Sequence, residues 1–213
     1  MYLGHFAAGL ALQARVREAP LAWLLAASVA SDLLCGALLV AGAEHATIQG
    51  PVVFRNIHAD IGYSHSLLAI AACAVLGASV AAAYLKSTRV AAAIALAVLS
   101  HYVLDALSHG ADMPLIGFGA ANDIRLGTGL AQYPVAFFLV EAGWCGLALW
   151  LYDRSNRRLL VSMSVLLLLY TNTVFGFAPP PQLSAAGLGL SMIAVFALTF
   201  GVLSWAARLT VKA

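Results

Sequence analysis

Six stretches of this 213-residue chain are each apolar for about 20 residues, the length a helix needs to cross the hydrocarbon core of a bilayer. They cover residues 20–42, 64–85, 90–109, 126–152, 159–177 and 184–207. Backbone surrounded by lipid must satisfy its own hydrogen bonds, so spans of this kind predict helices. The fourth is long enough to tilt or to begin outside the lipid. Composition agrees: 62% of the residues are hydrophobic and only 9% are charged, against about 25% charged in soluble domains. Too little charge remains to cover a water-facing surface. Disorder is excluded as well, because disordered chains are poor in apolar residues. The expected fold is an all-α, polytopic integral membrane bundle, one transmembrane domain over residues 1–213.

Before the first span, residues 1–14 are apolar but only about 21 Å long as a helix, too short to cross. They lack the basic leader and small-residue cleavage site of a signal peptide, so they are expected to stay in the protein as a short, half-inserted helix packed against protein. The basic residues give direction. Arg15, Arg17, Lys86, Arg89, Arg154, Arg157, Arg158, Arg208 and Lys212 fall on one side, and only Arg55 and Arg125 on the other. The positive-inside rule makes the richer side, with the C-terminus, cytoplasmic in a bacterial-type inner membrane. Two long loops, residues 43–63 and 110–125, and a third with Pro179-Pro180-Pro181 then lie outside. A net charge of +2 without a dense basic patch gives no reason to expect nucleic acid as a partner. Membrane lipid is the expected environment and a candidate substrate. Cys35, Cys73 and Cys145 lie far apart in apolar runs and read as small core residues.

A few polar residues interrupt the spans, and each costs a few kcal/mol at the bilayer centre unless partnered. Asp32 sits in the first span. His101 and Asp105 lie four apart in the third, on one helical face. His65 opens the second span, His5 lies in the N-terminal segment, Glu141 in the fourth span and Asn172 in the fifth. At about 1.5 Å of rise per residue, Asp32 is about 18 Å above the cytoplasmic end, His101 about 16 Å and Asp105 about 22 Å. His65 lies high, and His5 is about 13 Å up its own segment. These depths converge on the midplane and outer half, whereas Glu141 falls lower. Two ionised aspartates in lipid would be prohibitive alone, and one divalent cation with neutral imidazoles resolves the charge. Asp32, His65, His101 and Asp105 are the expected metal ligands. His5 could serve a second ion with Asp105 bridging.

Tyr63, Ser64 and Ser66 are candidate hydrogen-bond partners that orient His65. His45 and His58 read as solvated loop residues. His109 and Asp112 form either a second metal position or a polar cap. Trp144, Trp150 and Tyr152 read as an interfacial belt.

The order Gly4-His5-Phe6, Ser31-Asp32-Leu33-Leu34, Tyr63-Ser64-His65-Ser66 and Ser100-His101-x-x-x-Asp105 resembles the YdjM-like family of membrane-bound metal-dependent hydrolases, over roughly residues 1–109. It resembles, more remotely, the zinc-dependent phospholipase C and single-strand nuclease superfamily. The family's usual Pro-Asp-x-Asp and Arg-Gly-x-Thr-His-Ser are here Ala30-Ser31-Asp32-Leu33 and Gly62-Tyr63-Ser64-His65-Ser66. The resemblance implies one zinc on Asp32, His65, His101 and Asp105 and a second on His5 with Asp105. Residues 1–109 would then be the metal-site half and 110–213 supporting helices.

The expected activity is metal-dependent hydrolysis of a phospholipid or lipid-linked phosphoester, with the site open toward the outer half of the membrane. Asp105 would be catalytic, His109, Asp112 or Glu141 would serve acid–base or substrate-binding roles, and the cofactor would be one or two divalent ions, Zn²⁺ first. The alternatives are a small metal-ion or proton transporter and a non-catalytic metal-binding membrane subunit.

Overall fold

The computed structural model describes residues 1–48, 56–177 and 183–207. Arg55, the triple proline, Arg208 and Lys212 lie outside them. The described chain forms eight helices: α1 (Leu3–Arg15), α2 (Leu21–Ser28), α3 (Ala30–Ala41), α4 (Leu67–Leu85), α5 (Thr88–Ser108), α6 (Pro134–Asp153), α7 (Arg157–Phe175) and α8 (Ala185–Ala207). Five of them, α4 to α8, are long and apolar enough to cross a membrane, and α2 with α3, bent at their junction, are together long and apolar enough for a broken span or a re-entrant segment. A multi-pass helical membrane protein is the result. Helix ends follow local chemistry. Ser66, Ser87 and Asn156 accept from the third backbone N–H ahead of them at the starts of α4, α5 and α7. Pro134 opens α6, and Gly42 and Gly176 close α3 and α7 in the left-handed conformation.

Two boundaries differ from the sequence reading in ways that matter. The first span is broken at Val29 by 50°. Ser28 turns its hydroxyl back onto the Leu25 carbonyl at 2.9 Å, an arrangement that bends helices. The second span starts at Leu67, which leaves His65 in the segment before the helix. The fourth starts only at Pro134, since Arg125–Leu126 is a strand and Leu130–Gln132 a single 3₁₀ turn.

A short helix is not a peripheral one: α1, too short to span, is the centre of the bundle. Residues 3–10 of α1 are all buried, and α1 packs on α6, α2 and α5. Leu3, Phe6, Ala7 and Leu10 form one core with Leu25, Cys145, Met163 and Leu203. The expected half-inserted helix is thus enclosed by protein rather than wetted by lipid. Elsewhere α4 packs along α5, and α3 along α8. A methyl group on Gly189 would stand 2.5 Å from the Gly36 carbonyl oxygen, so the α3–α8 crossing depends on small residues, as close helix pairs in membranes do.

The two long loops carry small antiparallel hairpins, β1 (His45–Ile48) with β2 (Ile57–Asp60), and β3 (Met113–Pro114) with β4 (Arg125–Leu126). In the first, His45 faces Asp60 and Thr47 faces His58. These four are exposed, while Ala46, Ile57 and Ala59 turn inward. The loops also meet. Gly117, at φ +71°, lies against Gly62 and Ser66 so closely that a Cβ there would be 2.2 Å from the Gly62 carbonyl oxygen. At the opposite end the basic segments gather. Arg89 donates to the Arg15 carbonyl at 3.2 Å, and Arg17 donates to the Tyr152 carbonyl at 3.0 Å while lying over its ring.

Candidate metal centre

Each helix delivers its ligand for a local reason. His5 sits in the first turn of α1, Asp32 in the first turn of α3 just past the break, and His65 directly before the Ser66 cap of α4. His101 and Asp105 are one turn apart near the end of α5. All five are buried, with exposures between 1% and 7%.

The hydrogen bonds fix which nitrogen carries the proton. His101 Nδ1 donates to the Ser28 carbonyl at 2.9 Å, the carbonyl at the helix break. A carbonyl can only accept, so Nδ1 carries a proton, and in the neutral ring His101 Nε2 is the lone pair. Ser64 donates its hydroxyl to the Glu44 carboxylate (2.8 Å to Oε2), and its oxygen then accepts from His65 Nδ1 at 2.7 Å. In the neutral ring His65 Nε2 is the lone pair too. The two Nε2 atoms are 3.2 Å apart. Asp105 Oδ2 is 3.1 Å from the first and 3.6 Å from the second. Asp32 offers Oδ1 at 3.7 Å from His65 Nε2 and Oδ2 at 3.8 Å from His101 Nε2.

With both imidazoles neutral, two lone pairs and two carboxylates facing one another repel. A cation relieves this. Ligands about 2.0–2.2 Å from a tetrahedral ion stand roughly 3.3–3.6 Å apart, and the separations of the two Nε2 atoms from each other and from the two carboxylates, 3.1–3.8 Å, bracket that range. Asp32 Oδ2 is buried with no hydrogen-bond partner, as expected of an oxygen kept for a metal. The residues fit.

His5 forms the flank. Its ring stacks on that of His101 with centroids 3.8 Å apart, and its Nε2 is 3.1 Å from Asp105 Oδ1. His5, His101 and Asp105 make a second group whose ligand atoms lie within 4.8 Å of one another, beside Asp32, His65 and His101. Asp105 thus presents one oxygen to each group. The Met1 amine also donates to Asp105 Oδ1 at 2.8 Å.

Glu44 escaped the sequence reading. It follows the glycine cap of α3 and is 1% exposed, and it accepts from the Tyr63 and Ser64 amides at 2.9 and 2.8 Å as well as from the Ser64 hydroxyl. Its partners lie about 20 residues away, so no local spacing marks it. Of the three expected partners of His65, Ser64 alone contacts the ring. Ser66 caps α4, and Tyr63 is half exposed.

Glu141 is fully buried away from the cluster, where it accepts from the Gly4 amide at 2.9 Å and holds the start of α1. Trp144 donates to the Gly4 carbonyl, and Tyr152 is buried under Arg17, so Trp150 alone of that expected belt is exposed. His109 lies 3.5 Å from Asp112 at the end of α5. Asn172 is exposed on α7, and His45 and His58 are exposed on the hairpin. Cys35 and Cys145 are buried, Cys73 is half-buried, and all three are free thiols.

A cavity of about 450 Å³ leads to the cluster. His5, Asp32, His65, Asp105 and His109 line one end, α7 and α8 form its walls, and the inward face of the first hairpin covers it with Ala46, Ile57 and Ala59.

The model of the family described as YdjM inner membrane protein matches residues 1–179, most of the chain. The chain belongs to the YdjM inner membrane protein family. Membership runs well past the residues 1–109 that carry the motifs and takes in α6 and α7. No curated protein and no solved structure matches the chain. Within the family assignment, α8, which completes the cavity and packs on α3, lies beyond the matched residues.

Proposed function

We propose that this YdjM family member is a membrane-embedded, metal-dependent hydrolase of a phospholipid or another lipid-linked phosphoester. One observation carries the reading: two imidazole Nε2 atoms and two carboxylates converge, buried, beside an apolar cavity. Asp32, His65, His101 and Asp105 would hold a divalent ion, Zn²⁺ by ligand type, and His5 with Asp105 would hold a second if one binds. Such an ion supplies Lewis acidity, which acidifies water and draws charge from a phosphoryl oxygen.

The chain's own groups do the rest. In the hydrolysis, water adds to phosphorus and the P–O bond to the alcohol breaks. One proton leaves the water, and one reaches the departing alkoxide. We assign the acceptor role to the carboxylates of Asp32 and Asp105, and the donor role to His109, which lines the cavity at the same end. Glu44 and Ser64 hold the His65 ring in its tautomer. Glu141 keeps His5 in place by anchoring α1. The inward apolar face of the first hairpin excludes bulk water.

By the positive-inside rule the basic end is cytoplasmic, so the cluster would lie toward the periplasmic half. A transporter needs a polar path to the other side. Along α1 beyond His5 stand Phe6 and Leu10, fully buried with Leu24 and Leu25, and this argues for a one-sided site. The test is release of phosphate or a phosphorylated headgroup from a panel of lipid vesicles by zinc-loaded protein. Turnover by wild type and at least a roughly 100-fold loss in Asp105→Asn are expected. Zinc flux through the protein without any hydrolysis would reverse the ranking, and bound zinc with neither would leave a structural metal.

A further inference from the structure

The cavity has a buried end and an open end, and they differ in chemistry. His5, Asp105 and His65 at the inner end are at most 3% exposed. Leu169 on α7 and Val195 and Leu198 on α8 line the same cavity, yet Leu169 is 69% and Leu198 66% exposed. Residues that are at once lining and surface mark a mouth. This mouth lies between two membrane-spanning helices, which touch over less of their length than the tightly packed α4 and α5. The solvent at that depth is hydrocarbon, so the mouth opens into the bilayer.

We infer that the cleft between α7 and α8 is a lateral entry for lipid and a binding site for one hydrocarbon chain. Leu169, Val195 and Leu198 grip the chain at the mouth, and the phosphate is delivered to the cluster at the inner end. This rests on the phosphoester reading for the headgroup and goes beyond it by assigning route and chain site. The size agrees. About 450 Å³ lies within the range of roughly 300–1,000 Å³ typical of small-ligand sites, enough for a headgroup and part of a chain while the remainder stays in the bilayer. The polar side chains along the wall are few beside its apolar ones: Tyr170, Thr173, Ser191 and Thr199, with Tyr2 ahead of α1. Ser191 is engaged with the Leu188 carbonyl, and Thr199 with the Tyr2 hydroxyl. The wall therefore offers a ligand mostly dispersion contact, as an alkyl chain needs.

The test uses the full chain in phosphatidylethanolamine–phosphatidylglycerol vesicles that include a phosphatidylglycerol with a diazirine midway along one acyl chain. Illumination is expected to label residues 166–173 and 191–198 more densely than the lipid-facing surface of α4 around Val75 and Leu76. Leu169→Trp and Leu198→Trp are expected to cut the cleft label by about tenfold while sparing α4. Cleft labelling no denser than that of α4 in wild type overturns the inference, whatever the variants do. Labelling needs no turnover, so the two readings fail separately. A labelled cleft without hydrolysis removes the hydrolase and keeps the lipid site. Hydrolysis with an unlabelled cleft does the reverse.

Discussion

Helices α1 and α4 have opposite fates, and the less apolar of the two, α1, takes the core. Helix α4 has 19 residues, enough to span, and it turns Val75, Leu76 and Tyr84 outward. Helix α1 has 13, too few to cross, and is buried through residues 3–10. In water the more apolar of two helices would take the core. In lipid that preference disappears, because hydrocarbon tails solvate Leu as well as another helix does. The interior is claimed by what lipid cannot solvate: a helix too short to keep its ends out of the hydrocarbon, and the polar side chains it carries. His5 belongs to the core for that reason.

The contrast can be broken by truncation. Phe6→Ala in α1 is expected to lower resistance to detergent unfolding by about 2–4 kcal/mol, the lost contacts and the cavity left behind. Leu76→Ala in α4 should change it by less than about 0.5 kcal/mol. Circular dichroism during a dodecyl sulfate titration reads both, and equal effects would contradict the arrangement.

The second comparison lies in the loop. Glu44→Gln and Ser64→Ala are expected to weaken metal affinity by about 10- to 100-fold by freeing the His65 ring. Ser66→Ala, one residue beyond His65, removes the α4 cap at about 1 kcal/mol of stability and leaves affinity unchanged. Competition with a chromophoric chelator separates the two, and a shared response would mean that the Glu44–Ser64 link has no special role.

The smallest effect is expected at Asp123. The amides of Ile116 and Gly117, at 3.0 and 2.6 Å, hold its carboxyl below the usual carboxylate value. A lowered value in the folded state makes this contribution present above the ordinary carboxylate range and lost as pH falls through the lowered value. Protection of the amides over residues 113–126, taken relative to their intrinsic exchange at each pH, should therefore fall in acid, and Asp123→Asn should remove that pH dependence. The exchange of α1 should not respond.

The spans were legible because an uninterrupted apolar run of about 20 residues is the length of a bilayer crossing, and the ligands because charge in such runs is costly. His101 and Asp105 announced themselves by a four-residue spacing. Their partners' local settings were less visible. The break at Val29, which turns the Ser28 carbonyl to His101, depends on a serine side chain indistinguishable by pattern from others in the spans. The cap at Ser66 that ends the polar segment at His65 depends on one backbone hydrogen bond. Glu44 was hidden in a loop where an acidic residue is ordinary, and Glu141 was conspicuous in a span for a structural reason.

The central claim is that Asp32, His65, His101 and Asp105 hold a divalent ion. Elemental analysis of detergent-purified protein tests it directly, comparing wild type with Asp105→Ala and His65→Ala, each first checked for folded helix content. About one zinc or more per chain in wild type, lost from both variants, is the expected result. Folded wild type that takes up no divalent metal after incubation with zinc, or variants that retain it fully, would contradict it.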